Sequence, residues 1–446
     1  MVVLRLTRQR LLPSPACVLL ALSLLVGHLG CHPAPPEDKS LRLVFKHPRL
    51  LSHEEPLQAL LNQFRAAHPA LQLDEEILPS SSDQQHLFYV TNLEAGATDF
   101  DVFALDVIWI PEFARAGWLQ DVTAMLGSAE LTDSIPGPVT AATHAGRIYA
   151  IPWFLDGGVL YYRRDLLDKY GLTLPHTWSE VRTAIQVVLQ HEANPRLTGF
   201  VWQGKQYEGL VCVALEFLRA YGGDVFTDQG EVQLTQPTAV AGLQALRSLI
   251  ADHLSPTVVT TADEEIAQHI FGRGEAIFMR NWPYAWRLLN AQDSPVRGRI
   301  GVTAIPGSNA HVGVPTLGGW HLGINRLSRQ PELAWQFVAF LTSAESQRQL
   351  AIASGLQPTH LSVYADPQVQ QADPSLLLFF PLLQRAQPRP VTPFYLMLSQ
   401  VLQSEFSAAI TGLKSAEVAL QDAERQMTRI LALEQKETTR ALTTGD

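Results

Sequence analysis

Cysteine is almost missing from this chain. Three occur in 446 residues, and past Cys31 only Cys212 remains, so no disulfide framework staples the fold. Cys212 falls in the apolar run Leu210 to Leu215 and reads as a core residue. Long apolar stretches are scarce too. Beyond residue 30 none approaches the length of a bilayer span, so the remainder reads as water-soluble. Positive charge is in deficit, with 33 Lys and Arg against 43 Asp and Glu and a formal net charge of −10. Such a balance argues against nucleic acid as a partner. The histidines are scattered and form no Cys/His cluster, which leaves a metal centre without ligands. No internal repeat and no long low-complexity tract is present.

The N-terminus carries Arg5, Arg8 and Arg10, then the apolar run Val18 to Val26, then Gly30-Cys31. The run is too short to span a bilayer, and the layout is that of an export signal. Its Gly-Cys ending resembles a bacterial lipoprotein signal, although His28 stands where an aliphatic residue is usual. The resemblance implies a signal peptide over 1–30 and lipidation of Cys31; an uncleaved signal anchor is the alternative. Residues 31–40 are polar and proline-rich and read as a tether. Removing the leader takes away three arginines and no acid, so the mature chain is more negative still. About 400 mature residues exceed one ordinary core, and two lobes are expected.

Short strands alternate with helices along the chain. Strands are expected at Leu41 to Phe45, Leu71 to Ile77, Asp101 to Ala104, Ile148 to Trp153 and Gly158 to Tyr162. Helical spacing marks Pro56 to His68, Ile110 to Ala116, Arg164 to Tyr170, Trp178 to His191, Gln206 to Tyr221, and Thr238 to Ala251. Glu332 to Thr342 and Ser343 to Ser354 form a helical pair, and Ser415 to Leu433 closes the chain. Thr177 or Ser179 caps the helix from Trp178. The pattern is that of a layered α/β fold.

The densest local chemistry lies in Phe278 to Trp286, which holds four aromatic rings, Arg280 and Asn281 around Pro283. Ala276 to Met279 reads as a buried strand end and Tyr284 to Leu289 as a helix start, with the proline forbidding one continuous element. Trp282 and Asn281 at that turn would set a flat apolar ring and a polar side chain at one cleft edge. Sugars offer C–H faces for rings and hydroxyls for directional partners, so the pairing suits a carbohydrate. Trp286, at helical spacing, reads as core. Asp106 ends a strand beside Trp109, where ligands collect in open α/β sheets; an N-cap for the Ile110 helix is its alternative role. Arg389 lies between Pro388 and Pro390, which hold its base still, and its planar fork can grip hydroxyls or orient Asp106 or Asp156.

Taken together, these blocks resemble the extracellular substrate-binding component of an ABC sugar importer, and within that family the trehalose/maltose-binding lipoproteins. The matching segments are Asp99 to Trp109, Pro111 to Leu119, Tyr149 to Asp156, Leu160 to Arg163, Trp178 to Glu180, and Gly222 to Asp224. Phe278 to Trp286, Leu317 to Ile324 and Pro388 to Tyr395 complete an ordered set covering nearly all of the mature chain. The resemblance implies an α/β, two-lobed periplasmic-binding-protein-like fold of type II, its lobes hinged around a ligand cleft. Lobe 1 is expected over 41–153 plus 314–358, and lobe 2 over 154–313 plus 359–446. It implies capture of a disaccharide or short oligosaccharide by closure, without a cofactor, and delivery to permease and ATPase subunits at the membrane by a lipid-anchored, extracytoplasmic monomer.

The resemblance also places sugar-contacting groups at Asp156, Trp320 and Glu54, with Asp83 and His86 as weaker candidates. One departure is Phe45-Lys46-His47-Pro48, where relatives often carry small or aromatic residues before the acid. Two other classes compete. A secreted glycosidase could use paired carboxylates such as Asp106 and Asp156, and the same fold could take a peptide, polyamine or metal. Turnover of a chromogenic α-glucoside separates the first from a receptor.

Overall fold

The computed structural model describes residues 41–444 except 51–53, 80, 128–131, 193 and 228, with side chains as far as 433. The leader, Cys31 and the tether therefore lie outside the described residues. Eleven strands are present among them: β1 (Leu41–Pro48), β2 (Leu71–Leu78), β3 (Val102–Asp106), β4 (Thr143–His144), β5 (Arg147–Ile148), β6 (Ala150–Gly157), β7 (Val159–Arg163), β8 (Thr198–Val201), β9 (Ala276–Asn281), β10 (Ile300–Thr303) and β11 (Leu317–Ile324). They make a five-stranded sheet in the order β2-β1-β3-β11-β6, a four-stranded sheet β10-β7-β9-β8, and the small hairpin β4-β5.

Period-two alternation decides which way each strand faces. In β1, Leu43 and Phe45 join a core with Leu57, Leu61 and Phe64 of α1 (Glu54–Ala67), while Val44 points to the opposite core with Tyr89 and Phe103. In β3, Val102 and Ala104 share the first core, and Phe103 and Leu105 the second. Both faces of the sheet are thus covered, as apolar strands of an α/β layer require. The second face is covered in part by α2 (Ser82–Glu94) and α3 (Ile110–Arg115). The four-stranded sheet has its own core. Against it pack α4 (Trp178–His191), α5 (Glu208–Ala220), α6 (Pro237–Ala251) and α7 (Glu264–Gly272). Two lobes follow from two sheets.

Of the two N-cap candidates for α4, Thr177 takes the role. Its hydroxyl accepts from the Glu180 N–H at 3.2 Å, and Glu180 accepts from the Thr177 N–H at 3.1 Å, a reciprocal capping box. The remaining long helices are α8 (Pro331–Thr342), α9 (Ala344–Ser354), α10 (Tyr395–Ile410) and α11 (Ala416–Thr444). No described helix is long and apolar enough to cross a membrane.

The chain passes between the sheets three times. It leaves β6 through Gly158 into β7, returns from β10 to β11 through 304–316, and passes again between α9 and α10. At these passages Gly158 donates its N–H to the Thr316 carbonyl at 3.2 Å, Leu317 donates to the Gln387 carbonyl at 2.8 Å, and Gln387 donates to the Pro315 carbonyl at 2.9 Å. β11 is the strand that organises the cleft. It pairs antiparallel with β3, setting Trp320 opposite Asp106, and with β6, setting Gly318 opposite Asp156. The register with β6 shifts just after Trp320. Gly319 makes that irregularity possible: its φ is +118°, and a Cβ there would stand 2.6 Å from the Phe154 carbonyl.

Candidate functional site

A cleft of about 430 Å³ opens at the strand ends. From the first lobe it is lined by Asp106 at the end of β3, Trp320 and Gly318 of β11, and Ser82 at the start of α2. The second lobe supplies Trp282, Pro283 and Tyr284 after β9, Tyr207 and Glu208 at the start of α5, and Glu264 at the start of α7. Asp156 and Arg389, on the passages between lobes, line it as well. Glu208 and Glu264, in the first turns of their helices, sit where the helix dipole favours negative charge.

Trp282 is held on several sides. The Arg280 guanidinium lies 4.0 Å from its ring centroid, and its Nε1 donates to Glu264 Oε1 at 3.2 Å. The Tyr161 hydroxyl donates to its carbonyl at 2.8 Å. Asn281 is fully buried and spends its amide locally, accepting from the Trp282 N–H at 2.9 Å and donating to the Glu264 carbonyl at 3.1 Å. It lies behind the cleft wall and braces Trp282. Trp320 rests edge-on against buried Trp109, with centroids 5.7 Å apart. Trp286 packs against Phe379 at the margin of the second core, 6.1 Å between centroids.

Arg389 binds two acids from different lobes. Its Nη2 donates to Asp106 Oδ1 and its Nη1 to Glu208 Oε1, both at 2.9 Å. Of the readings open to it, orienting Asp106 is the contact formed; Asp156 is not its partner. Asp106 also accepts from the Ser82 hydroxyl at 3.2 Å, whereas the N-cap of α3 is Trp109, so the capping alternative for Asp106 falls away. Glu208 accepts further from the Tyr395 hydroxyl at 2.6 Å and from Ser399.

Asp156 differs from these: its backbone belongs to the β6–β11 ladder, but its carboxyl has no hydrogen-bond or ion-pair partner among the described residues. Burial pushes its carboxyl up to about 8; Arg280 opposes the shift, and the charges of Asp106 and Glu264 add to it. Asp83, beside the cleft, is pushed up to about 6, first by burial and then by Glu208 and Asp106. A carboxyl raised in the folded state binds a proton that the unfolded chain has already lost. Stability from Asp156 is therefore present below about pH 4 and lost as pH rises to about 8, by up to about 1.4 kcal/mol per pH unit. Urea unfolding of Asp156→Asn against the native chain should show equal stability near pH 4, with the variant pulling ahead towards pH 8. Parallel curves across that range would refute the assignment.

The other sequence candidates lie further off. Glu54 is exposed and pairs with Arg49 at 3.1 Å; Arg49, not Glu54, borders the cleft. His86 meets Glu112 at 2.9 Å and leans on Trp109 and Phe113. Lys46 is buried against Glu76 and His47 bonds Glu75 at 2.8 Å, so these two face the body of the lobe while Pro48 reaches the cleft. Cys212 is buried in α5, bordering the cleft floor, and burial pushes its thiol up to about 12. Glu208, Glu264, Tyr207 and Tyr284 were not singled out from sequence. The one available signal was an acid in the first turn of a mostly apolar helix at Glu208.

With this geometry in place, comparison with known proteins decides the family. The pattern described as bacterial extracellular solute-binding protein matches residues 51–348. The chain belongs to that family. A Deinococcus radiodurans protein named "Probable ABC transporter-binding protein" is 37% identical over 360 residues, 79% of this chain and 85% of its own. The structure described as maltose-bound T. maritima MalE3 matches with a TM-score of 0.83 at 41% identity, covering 87% of this chain and 100% of that one. An ABC transporter solute-binding protein from Thermotoga lettingae, bound with α-D-tagatose, shares the fold at 22% identity and a TM-score of 0.80, over 88% and 100% of the two chains. This solute-binding protein is thus the extracytoplasmic component of an ABC transporter with a two-lobed fold. Its relatives bind rather than transform their ligands, so the glycosidase alternative is set aside.

Proposed function

We propose that this solute-binding protein captures an α-linked disaccharide or short oligosaccharide, of the maltose or trehalose kind, and delivers it to a membrane permease by closing its lobes. One observation carries the reading: indole rings from opposite lobes, Trp282 and Trp320, border a single cleft together with Asp106 and unpartnered Asp156. Aromatic faces suit the apolar sides of pyranose rings; the Asp106 carboxylate, paired with Arg389, accepts hydroxyl donors through strong hydrogen bonds, and the raised Asp156 carboxyl can donate as well as accept. The volume of about 430 Å³ falls in the range of small-molecule sites. The 41% identical T. maritima protein is described as maltose-bound, and a 24% identical Pyrococcus abyssi relative is named a maltotriose-binding protein, which supports the sugar class.

In this reading Asp106, Asp156, Trp282 and Trp320 touch the sugar, Arg389 steadies Asp106, and Asn281 and Glu54 support from outside. The lobes run over 41–153 plus 314–358 and over 154–313 plus 359–446, and closure of a monomer about the passages between them forms the surface that meets the permease. Cys31 carries the lipid that holds the protein at the membrane. Isothermal titration with maltose, trehalose, maltotriose and mannitol tests the ligand class. Micromolar binding of at least one glucoside, about −8 kcal/mol, is expected. Heat from mannitol alone, or from none of the four, would overturn the proposal.

A further inference from the structure

The pair Arg280–Glu216 is enclosed completely, each side chain being 1% exposed. Arg280 Nε donates to Glu216 Oε2 at 3.0 Å and Nη2 to Oε1 at 2.6 Å, a bidentate fork that leaves little freedom. Gln203 locks the same arginine from two directions, accepting from Nη1 at 3.3 Å and donating to its carbonyl at 3.0 Å. Buried ion pairs are seldom better for stability than apolar residues of equal volume. Stability alone gives no reason for one here. Position does.

On one side the guanidinium meets the ring of Trp282 at 4.0 Å. On the other, Glu216 Oε1 accepts the backbone N–H of Thr316 at 3.1 Å, on the segment that returns from the second lobe to β11. The Thr316 carbonyl in turn holds the Gly158 N–H at 3.2 Å, on the outgoing passage. A Cβ on Gly158 would stand 1.9 Å from Glu216 Oε1 and 2.6 Å from Arg280 Nη2, so that passage lies directly against the pair. Indole, guanidinium, carboxylate and both passages thus form one unbroken series of contacts.

We propose that Arg280 and Glu216 are positioning residues that tie the Trp282 indole to the crossing segments at Gly158 and Thr316, so that occupation of the indole face is transmitted to the hinge. The inference rests on the reading that Trp282 faces the saccharide. Amide exchange at Thr316 in the ligand-free protein tests the tie without any sugar. Arg280→Met leaves the Glu216 acceptor in place yet should speed exchange at Thr316 about tenfold, with β11 amides beyond His321 unchanged, as expected for one coupled link. Arg280→Lys keeps the charge but loses the fork and the stacked plane, and should move the same amide in the same direction; it stands in should the methionine variant fail to fold. Maltose affinity should fall about tenfold in either variant, and adding Glu216→Gln should cost far less than it does alone. Native Thr316 exchange in a folded Arg280 variant would overturn the tie. If the native chain binds no saccharide, the proposed function fails, while the exchange result still judges this inference.

Discussion

Arg389→Met is expected to destabilise the protein by about 3–5 kcal/mol, read as a drop in the urea midpoint at pH 7. Arg389 is 4% exposed, Glu208 3% and Asp106 9%, so the two acids cannot recover the lost charge from water. Methionine replaces the packing volume and not the two 2.9 Å donors, leaving Asp106 with the Ser82 hydroxyl and the Ile108 N–H and Glu208 with Tyr395 and Ser399. The penalty arises from the unpaired carboxylates rather than from a cavity. Adding Glu208→Gln to Arg389→Met should therefore restore part of the midpoint, a rescue that a packing defect would not show. A loss under about 1 kcal/mol for the single variant would mean the acids are already neutral or wet.

The second large effect is on ligand capture. Trp282→Ala should weaken maltose binding by roughly 2 kcal/mol, about thirtyfold, with little change in the unfolding midpoint. The ring borders the cleft, and its outer face is open to a ligand while its inner face covers Arg280. Truncation also strips Glu264 of its indole donor, although Tyr207 still donates to it at 2.6 Å. Titration calorimetry on the variant and on Trp320→Ala separates the two rings. Native affinity in both would move recognition away from the aromatic walls.

Elements with strong local signals were legible. α4 shows its apolar stripe, Val181, Ile185 and Val188, and its Thr177 cap, and it folds where those residues say. Others were hidden for identifiable reasons. α2 buries Gln85 with Tyr89 and Leu93 and leaves Leu87 66% exposed, which blurs the helical stripe. β11 begins with Leu317-Gly318-Gly319, a poor strand former alone; it exists because β3 and β6 flank it on both sides. The aromatic turn at Trp282 stood out because one proline and four rings fall within nine residues, whereas the burial of Asn281 behind it follows from α7, whose Glu264 carbonyl takes its amide.

Composition, spacing and punctuation along the chain were enough for the α/β class, the strand-end position of Asp106 and the aromatic turn at Trp282, because those depend on neighbours a few residues away. Which acid meets Arg389, and which stays unpaired, came only with folding. Glu208 and Arg389 are 181 residues apart and Asp106 and Arg389 283 apart, and they touch because three chain passages bring two separately formed sheets together. Contacts at that separation depend on loop closure and packing of whole lobes, which no local pattern encodes.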